Sequence, residues 1–130
     1  MALYEFCHVL KNSPTLILHH KLLGMGKYVT AAEAVKAVSS GNRVYVQAAA
    51  ATPTALTAAL ADRAPELRDV EVCHLHTEGA APYANPELRD SFHVNSFFIG
   101  KNVRHTLTSG NGSYTPVFLS ELPRLFRKKV

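Results

Sequence analysis

The sequence predicts an α/β domain, a mostly parallel open sheet flanked by helices. Three observations carry this. Short β-branched and aromatic runs alternate with helix-patterned stretches along most of the chain. The helix-patterned stretch around Leu56, Ala59, Leu60 and Arg63 joins two such runs, as a right-handed parallel crossover requires. The 130 residues, 47% apolar and 18% charged, suffice for one hydrophobic core and argue against wholesale disorder.

Residues 1–26 read as a poorly defined N-terminal extension. Its first ten residues suit a short helix or strand, with breaks at Asn12-Ser13-Pro14 and at Gly24 and Gly26. Regular patterning begins at Thr30. Thr30-Ala31-Ala32-Glu33 is a capping box, in which Thr30 accepts from the N3 amide and Glu33 reaches back to the Thr30 amide. Ala31, Ala34, Val35 and Val38 recur behind it at helical spacing, and Gly41 suits a left-handed cap. This predicts a helix of about two and a half turns.

Arg43 to Gln47 is a strand run. Thr52 then suits an N-cap and Pro53 a first helical position, and the helix runs to the break at Pro65. Val70 to His76 is the second strand, followed by a polar loop from Thr77 to Pro86. Phe92 to Ile99 reads as a third strand and Asn102 to Thr108 as a short helix ended by Gly110 to Gly112. Thr115 to Leu119 reads as a fourth strand, with Ser120 capping a last helix through Phe126.

The formal charge of +4 sits at the two ends. Residues 1–30 carry +2 and residues 121–130 carry +3, so the middle sums to −1. A nucleic-acid surface shows basic residues along a face, often with stacking aromatics. The basic tail here follows a predicted helix, where cations suit the helix dipole, and no nucleic-acid partner is expected. No apolar run approaches the roughly 20 residues of a membrane span. Two cysteines, Cys7 and Cys73, without a CxxC motif fit free thiols in a reducing compartment. The first 28 residues match neither a secretory signal nor a mitochondrial leader, so the expectation is cytoplasmic.

Chemistry is sought first at the junction Gln47–Thr54. Ligands of open α/β sheets sit at the carboxyl ends of strands, where helix N-termini offer amides to anions. Four consecutive alanines, Ala48 to Ala51, permit close approach. The junction has no glycine and no GxxxxGK[ST], so it is neither a dinucleotide fingerprint nor a P-loop. By composition alone, a plain tight connection of small residues comes first. His74 and His76, two apart on a predicted strand, share a face and could begin a metal site. No second ligand cluster accompanies them, so no metal is expected. Glu78 lies just past a strand's carboxyl end, where a carboxylate could serve as a base or nucleophile. Ser109 and Ser113 lie in a Gly-rich turn outside any GxSxG elbow.

Several segments together resemble one family. They include Val29–Val35, Gly41–Val46, Ala50-Ala51-Thr52-Pro53-Thr54-Ala55-Leu56, His74-Leu75-His76-Thr77-Glu78-Gly79, Asn95–Gly100, Asn102-Val103-Arg104, Gly110, and Tyr114–Pro123. Their order and spacing resemble the N-terminal portion of the acetyl-CoA hydrolase/transferase family, nearest to the 4-hydroxybutyrate CoA-transferase type. The resemblance covers residues 27–127. It implies that residues 27–130 form the family's N-terminal α/β domain, truncated relative to longer members built from two related halves.

Members of the family move CoA between acyl groups. A glutamate in the C-terminal half attacks the thioester and passes through an acyl-glutamyl anhydride to a glutamyl-CoA thioester. The resemblance places Ala50, Ala51, Thr52 and Pro53 in the loop that faces the cleft. It places Gly110, Tyr114 and Thr115 in another cleft-side segment, and Glu78 in a motif distinct from that of the nucleophile. It implies acyl-CoA and a short carboxylate as ligands, with coenzyme A a substrate and not a resident cofactor. It also implies a C-terminal half or partner chain, a homo-oligomer in the full enzyme, and no turnover by this chain alone. The alternative is a non-catalytic binding or interaction module for CoA or another anion. One departure stands out: the family's Gly-Arg-Ala-Asp-Tyr is here Gly110-Asn111-Gly112-Ser113-Tyr114.

Overall fold

In the computed structural model, residues 8–9 and 28–127 are described. The β-branched runs form β2 (Arg43–Val46), β3 (Val70–His74) and β4 (Phe92–Ser96), with β5 at Gly112–Tyr114 and β1 at His8–Val9. The sheet order is β1-β2-β3-β4-β5. β1 lies antiparallel to β2, and β2 through β5 are parallel. The mostly parallel sheet expected from the sequence is therefore present.

Because each parallel strand is followed by its sequence neighbour, right-handed crossovers put every connection on the same face. That face carries Val44, Val46, Val70, Val72, Phe92 and Val94. They are buried with Leu60, Leu67, Tyr83 and Val103 from the connecting segments. Among the described residues the α-helices are α1 (Ala31–Ala34), α2 (Thr54–Asp62), α3 (Thr106–Ser109) and α4 (Leu122–Arg127). Only α4 among them packs on the opposite face, where Cys73, Phe97 and Leu122 form a second cluster with Tyr45, Leu125 and Phe126. Beside it runs a polar ladder. Arg43 pairs with Glu71, Asn95 Nδ2 donates to Glu71 Oε1 at 2.9 Å, and Thr115 Oγ1 donates to Asn95 Oδ1 at 2.9 Å.

Local chemistry explains where the elements meet expectation and where they depart from it. The capping box forms, with Glu33 N donating to Thr30 Oγ1 at 3.2 Å and Thr30 N donating to Glu33 Oε2 at 3.1 Å. The helix tightens after Ala34 into a 3₁₀ turn, Val35–Ala37. The Arg63 guanidinium donates to the carbonyls of Val35 and Val38, which satisfies this helix end from outside. Gly41 has a left-handed φ of 74°, but it does not cap this helix: the 3₁₀ turn ends at Ala37 with Val38 extended, and Gly41 lies in the turn before β2.

Thr52 does not cap α2. Its hydroxyl donates instead to the Ala49 carbonyl at 2.7 Å, and α2 begins at Thr54. The strand expected through His76 ends at His74, and that expected through Ile99 ends at Ser96. The helix expected from Asn102 starts only at Thr106, because the Asn102 side chain turns back onto the loop after β3. The last parallel strand lies in the segment read as a Gly-rich turn and not at 115–119. Gly112 permits this, since a Cβ there would come within 2.6 Å of the Thr106 Cβ. Ser120 caps nothing; it lies inside a 3₁₀ turn, Leu119–Glu121, whose Glu121 carboxylate accepts from Phe118 N at 3.4 Å. The remainder of the predicted N-terminal extension lies outside the described residues.

Candidate functional site

Four parallel strands bring their carboxyl ends to one edge, the usual place for a ligand in an open α/β sheet. Three connections leave that edge: the residues after Val46, after His74 and after Ser96. Side chains and backbone tie them into one ledge. Ala49, in the left-handed region at φ 52°, donates its amide to His76 O at 3.1 Å and forms an isolated parallel bridge with Thr77. Thr52 Oγ1 donates to Ala49 O and accepts from Glu78 N at 3.1 Å. Asn102 Nδ2 donates to Thr77 O at 3.0 Å, Thr77 Oγ1 at 3.2 Å and Gly79 O at 3.1 Å.

On this ledge Ala50 is exposed, Ala51 and Thr52 are half-buried and Pro53 is buried. Glu78 stands beside them, with its side chain 70% exposed and Oε1 3.8 Å from His76 Nε2. Tyr114 and Thr115 lie at the carboxyl end of β5, on the same edge. Tyr114 is exposed, whereas the Thr115 hydroxyl is taken by Asn95 on the far face. Gly110, at φ 80°, ends α3 and precedes β5. It therefore sits at the amino end of that strand, on the opposite edge from the ledge.

His74 and His76 do not act as a pair. The strand ends at His74, which is wholly buried, while His76 is exposed. His74 Nε2 lies 2.9 Å from Ser96 Oγ and its Nδ1 lies 3.1 Å from Tyr83 OH. Both ring nitrogens are thus used inside the protein. Burial, with a smaller contribution from His76, pushes the His74 pKa down to about 4. Burial pushes the Tyr83 phenol up to about 12. The imidazole is neutral at pH 7, one nitrogen donating and the other accepting. This trio braces the sheet beneath the ledge. Among the described residues, no group of three or more His, Cys, Asp or Glu is placed to hold a metal ion.

Burial pushes the Cys73 thiol up to about 12, with the nearby Glu71 charge adding to it. It is a packed side chain and not a nucleophile. Burial alone would raise the Glu71 carboxyl. The hydrogen bonds from Asn95 and Arg43, with the Arg43 charge, outweigh burial and hold it below the ordinary carboxylate range. Sequence reasoning gave no role to Asn102 or Thr77, which hold the ledge together. The available signal was Gly100-Lys101-Asn102 directly after a strand. A Cβ at residue 100 would approach Asn102 Oδ1 to 2.7 Å, so the glycine makes room for the asparagine.

Residues 25–129 match the acetyl-CoA hydrolase/transferase N-terminal domain, and the chain belongs to that family. Its relatives are CoA transferases. It is 38% identical over 94 residues to the succinyl-CoA:acetate/propanoyl-CoA:succinate CoA transferase of Fasciola hepatica, a match covering 71% of this chain and 19% of that protein. It is 32% identical over 103 residues to the 4-hydroxybutyrate coenzyme A transferase of Clostridium kluyveri, covering 79% of this chain and 24% of that protein. It is 34% identical over 110 residues to the butyryl-CoA:acetate CoA-transferase of Anaerostipes caccae, covering 80% and 24% respectively. The solved structure of RipA from Yersinia pestis superposes with a TM-score of 0.69 at 25% identity, over 90% of this chain and 28% of that one. The chain thus spans about a fifth to a quarter of the length of the curated relatives it matches.

The departure at Gly110–Tyr114 has a local account. Asn111 is buried, donating from Nδ2 to Ala84 O at 3.3 Å and accepting from Ser109 Oγ at 2.6 Å. Ser113 Oγ lies 3.0 Å from His93 Nε2. The Asn111 and Ser113 side chains are thus partnered within the domain, without the arginine and aspartate of the family pattern.

Proposed function

We propose that this domain forms one wall of the active-site cleft of an acyl-CoA:carboxylate CoA-transferase. The enzyme moves CoA between acetyl-CoA and a short carboxylic acid such as 4-hydroxybutyrate, in cytoplasmic acetate and short-chain acyl-CoA metabolism. The observation that carries this reading is the ledge. Three loops at the carboxyl ends of β2, β3 and β4 are fixed to one another by Thr52, Thr77 and Asn102. Their exposed surface has small side chains at Ala50 and Gly79, so an extended acyl-CoA can lie close to backbone amides. Coenzyme A is the substrate there, not a resident group.

The covalent step of such a transfer needs a carboxylate that can attack a thioester. Glu78 is the carboxylate of the ledge, and it stands in solvent with only a loose contact to His76. His74 is sealed. We therefore assign the nucleophilic glutamate to a C-terminal half or partner chain, with a homo-oligomeric full enzyme, and expect no turnover from the 130-residue chain by itself. The same absence of an activated group at the ledge favours one alternative, a non-catalytic module for CoA or another anion. A transfer assay with acetyl-CoA and a panel of short carboxylates separates these. The chain is assayed alone and then with a C-terminal half from a family member. Activity only in the mixture is expected. Turnover by the chain alone refutes the assignment of the nucleophile. Inactivity in both, with CoA still bound, leaves the module.

A further inference from the structure

Resting on the cleft reading above, we infer that Thr52 and Asn102 are positioning residues that set where the loop Thr77–Gly79 meets the acyl-CoA. Neither is assigned contact with the reacting atoms. Past Thr77, which is buried and bridged to Ala49, the loop has little else to hold it, since Glu78, Gly79 and Ala80 are all exposed. Segments of this kind are ordinarily mobile. Here the amide of Glu78 donates to Thr52 Oγ1, and the carbonyls on either side of it, Thr77 O and Gly79 O, both accept from Asn102 Nδ2. Two side chains from two other loops thus hold the Thr77–Glu78 peptide at both its N–H and its C=O, and the Gly79–Ala80 peptide at its C=O, bracketing Glu78. Glycines stand on both sides of the clamp. A Cβ at Gly100 would crowd Asn102, and Gly79 takes a left-handed φ of 84°.

The hydroxyl of Thr52 has a double task, donating to Ala49 and accepting from Glu78. Its loss removes the side-chain tie from the loop after β2 to Glu78, leaving those loops joined by backbone alone, through Ala49 to His76 and Thr77. An ordinary hydrogen bond holds its conformer by roughly fivefold, so losing both of Thr52's bonds should weaken ligand binding by about tenfold or more.

The test uses the full 130-residue chain and three variants. Thr52→Val keeps the shape and removes the hydroxyl. Thr52→Ser keeps the hydroxyl. Asn102→Asp keeps the shape and turns acceptors toward three oxygen atoms. Two readouts are taken, amide exchange with amide shifts of Glu78 and Gly79 in the chain, and CoA affinity by titration calorimetry of the chain mixed with a family member's C-terminal half. Thermal melting serves as the control for the fold. Thr52→Val and Asn102→Asp should speed exchange at Glu78 and weaken CoA by about tenfold or more. Thr52→Ser should restore most of what Thr52→Val loses. Should Asn102→Asp fail to fold, the Thr52 pair carries the test.

The failures are distinguishable. A wild-type chain that neither binds CoA nor supports transfer when mixed with the C-terminal half refutes the cleft reading before any variant is made, and the role assigned here falls with it. Undiminished CoA affinity in Thr52→Val with demonstrably faster exchange at Glu78 refutes the positioning role alone. So does unchanged exchange in that variant.

Discussion

Acid should weaken this fold through His74. In the unfolded chain an imidazole takes its proton near pH 6.5, but in the folded protein His74 resists until about pH 4. The unfolded state therefore binds more protons throughout that window, and stability falls as the pH falls. The contribution is complete above pH 6.5, declines below it and is gone below pH 4. One pKa unit corresponds to about 1.4 kcal/mol, so the gap costs ~3 kcal/mol between pH 7 and pH 4. That is a large share of the stability of a small domain, about 5–15 kcal/mol.

Urea unfolding followed by circular dichroism at pH 7, 6, 5 and 4 measures this, run in parallel on His74→Gln. The variant starts less stable, because Tyr83 and Ser96 lose their partner. What matters is the slope. The wild type should lose ~3 kcal/mol more than the variant over the window, since every contribution but that of residue 74 is common to both. Equal slopes would refute the argument, as would an NMR titration that finds the His74 ring protonating near pH 6.5.

Three other perturbations follow from the packing. Gly112→Ala should destabilise the domain by about 1–3 kcal/mol, because the new methyl meets Thr106, and an unchanged melting temperature would contradict it. Cys73 should resist alkylation at pH 8 until denaturant is added, given its burial and raised pKa; rapid labelling of the Cys73 peptide, located by mass spectrometry after treatment of the folded chain, would show the site is open. Phe118 and Leu119 are 77% and 64% exposed, so Phe118→Ser combined with Leu119→Ser should lower self-association in sedimentation velocity, and an unaltered distribution would assign any association to another surface.

Local signals led to the right architecture where they agreed with packing. The capping box at Thr30 and Glu33 and the valine runs of β2 and β3 depend on near neighbours, and both appear as read. Side chains with more than one use were harder to place. Thr52 is an equally good N-cap and cross-loop tie, and only the nearness of Glu78 decides for the tie. His74 and His76 share a strand pattern, yet the sheet ends between them, and burial of one but not the other depends on Tyr83 nine residues away. Gly112 reads as a turn because glycine is common in turns. In place it is the residue that lets a strand lie against Thr106. The ledge was half legible. Ala50 to Pro53 and Glu78 were singled out, while the asparagine that joins their loops passed as the start of a helix.

The sequential order of the strands also bears on how the domain is made. Each of β3, β4 and β5 pairs with the strand synthesised just before it. A growing chain therefore meets an edge already in place as each new strand emerges, and every closure spans a single crossover. Each pairing still spans about 18 to 28 residues, and parallel pairings of that span form slowly, so the edge already in place is what each new strand needs. The domain can assemble from its N-terminal side outward as it leaves the ribosome. The last edge to appear, β5, is three residues long, too short to offer much of a template for an unrelated strand during that interval.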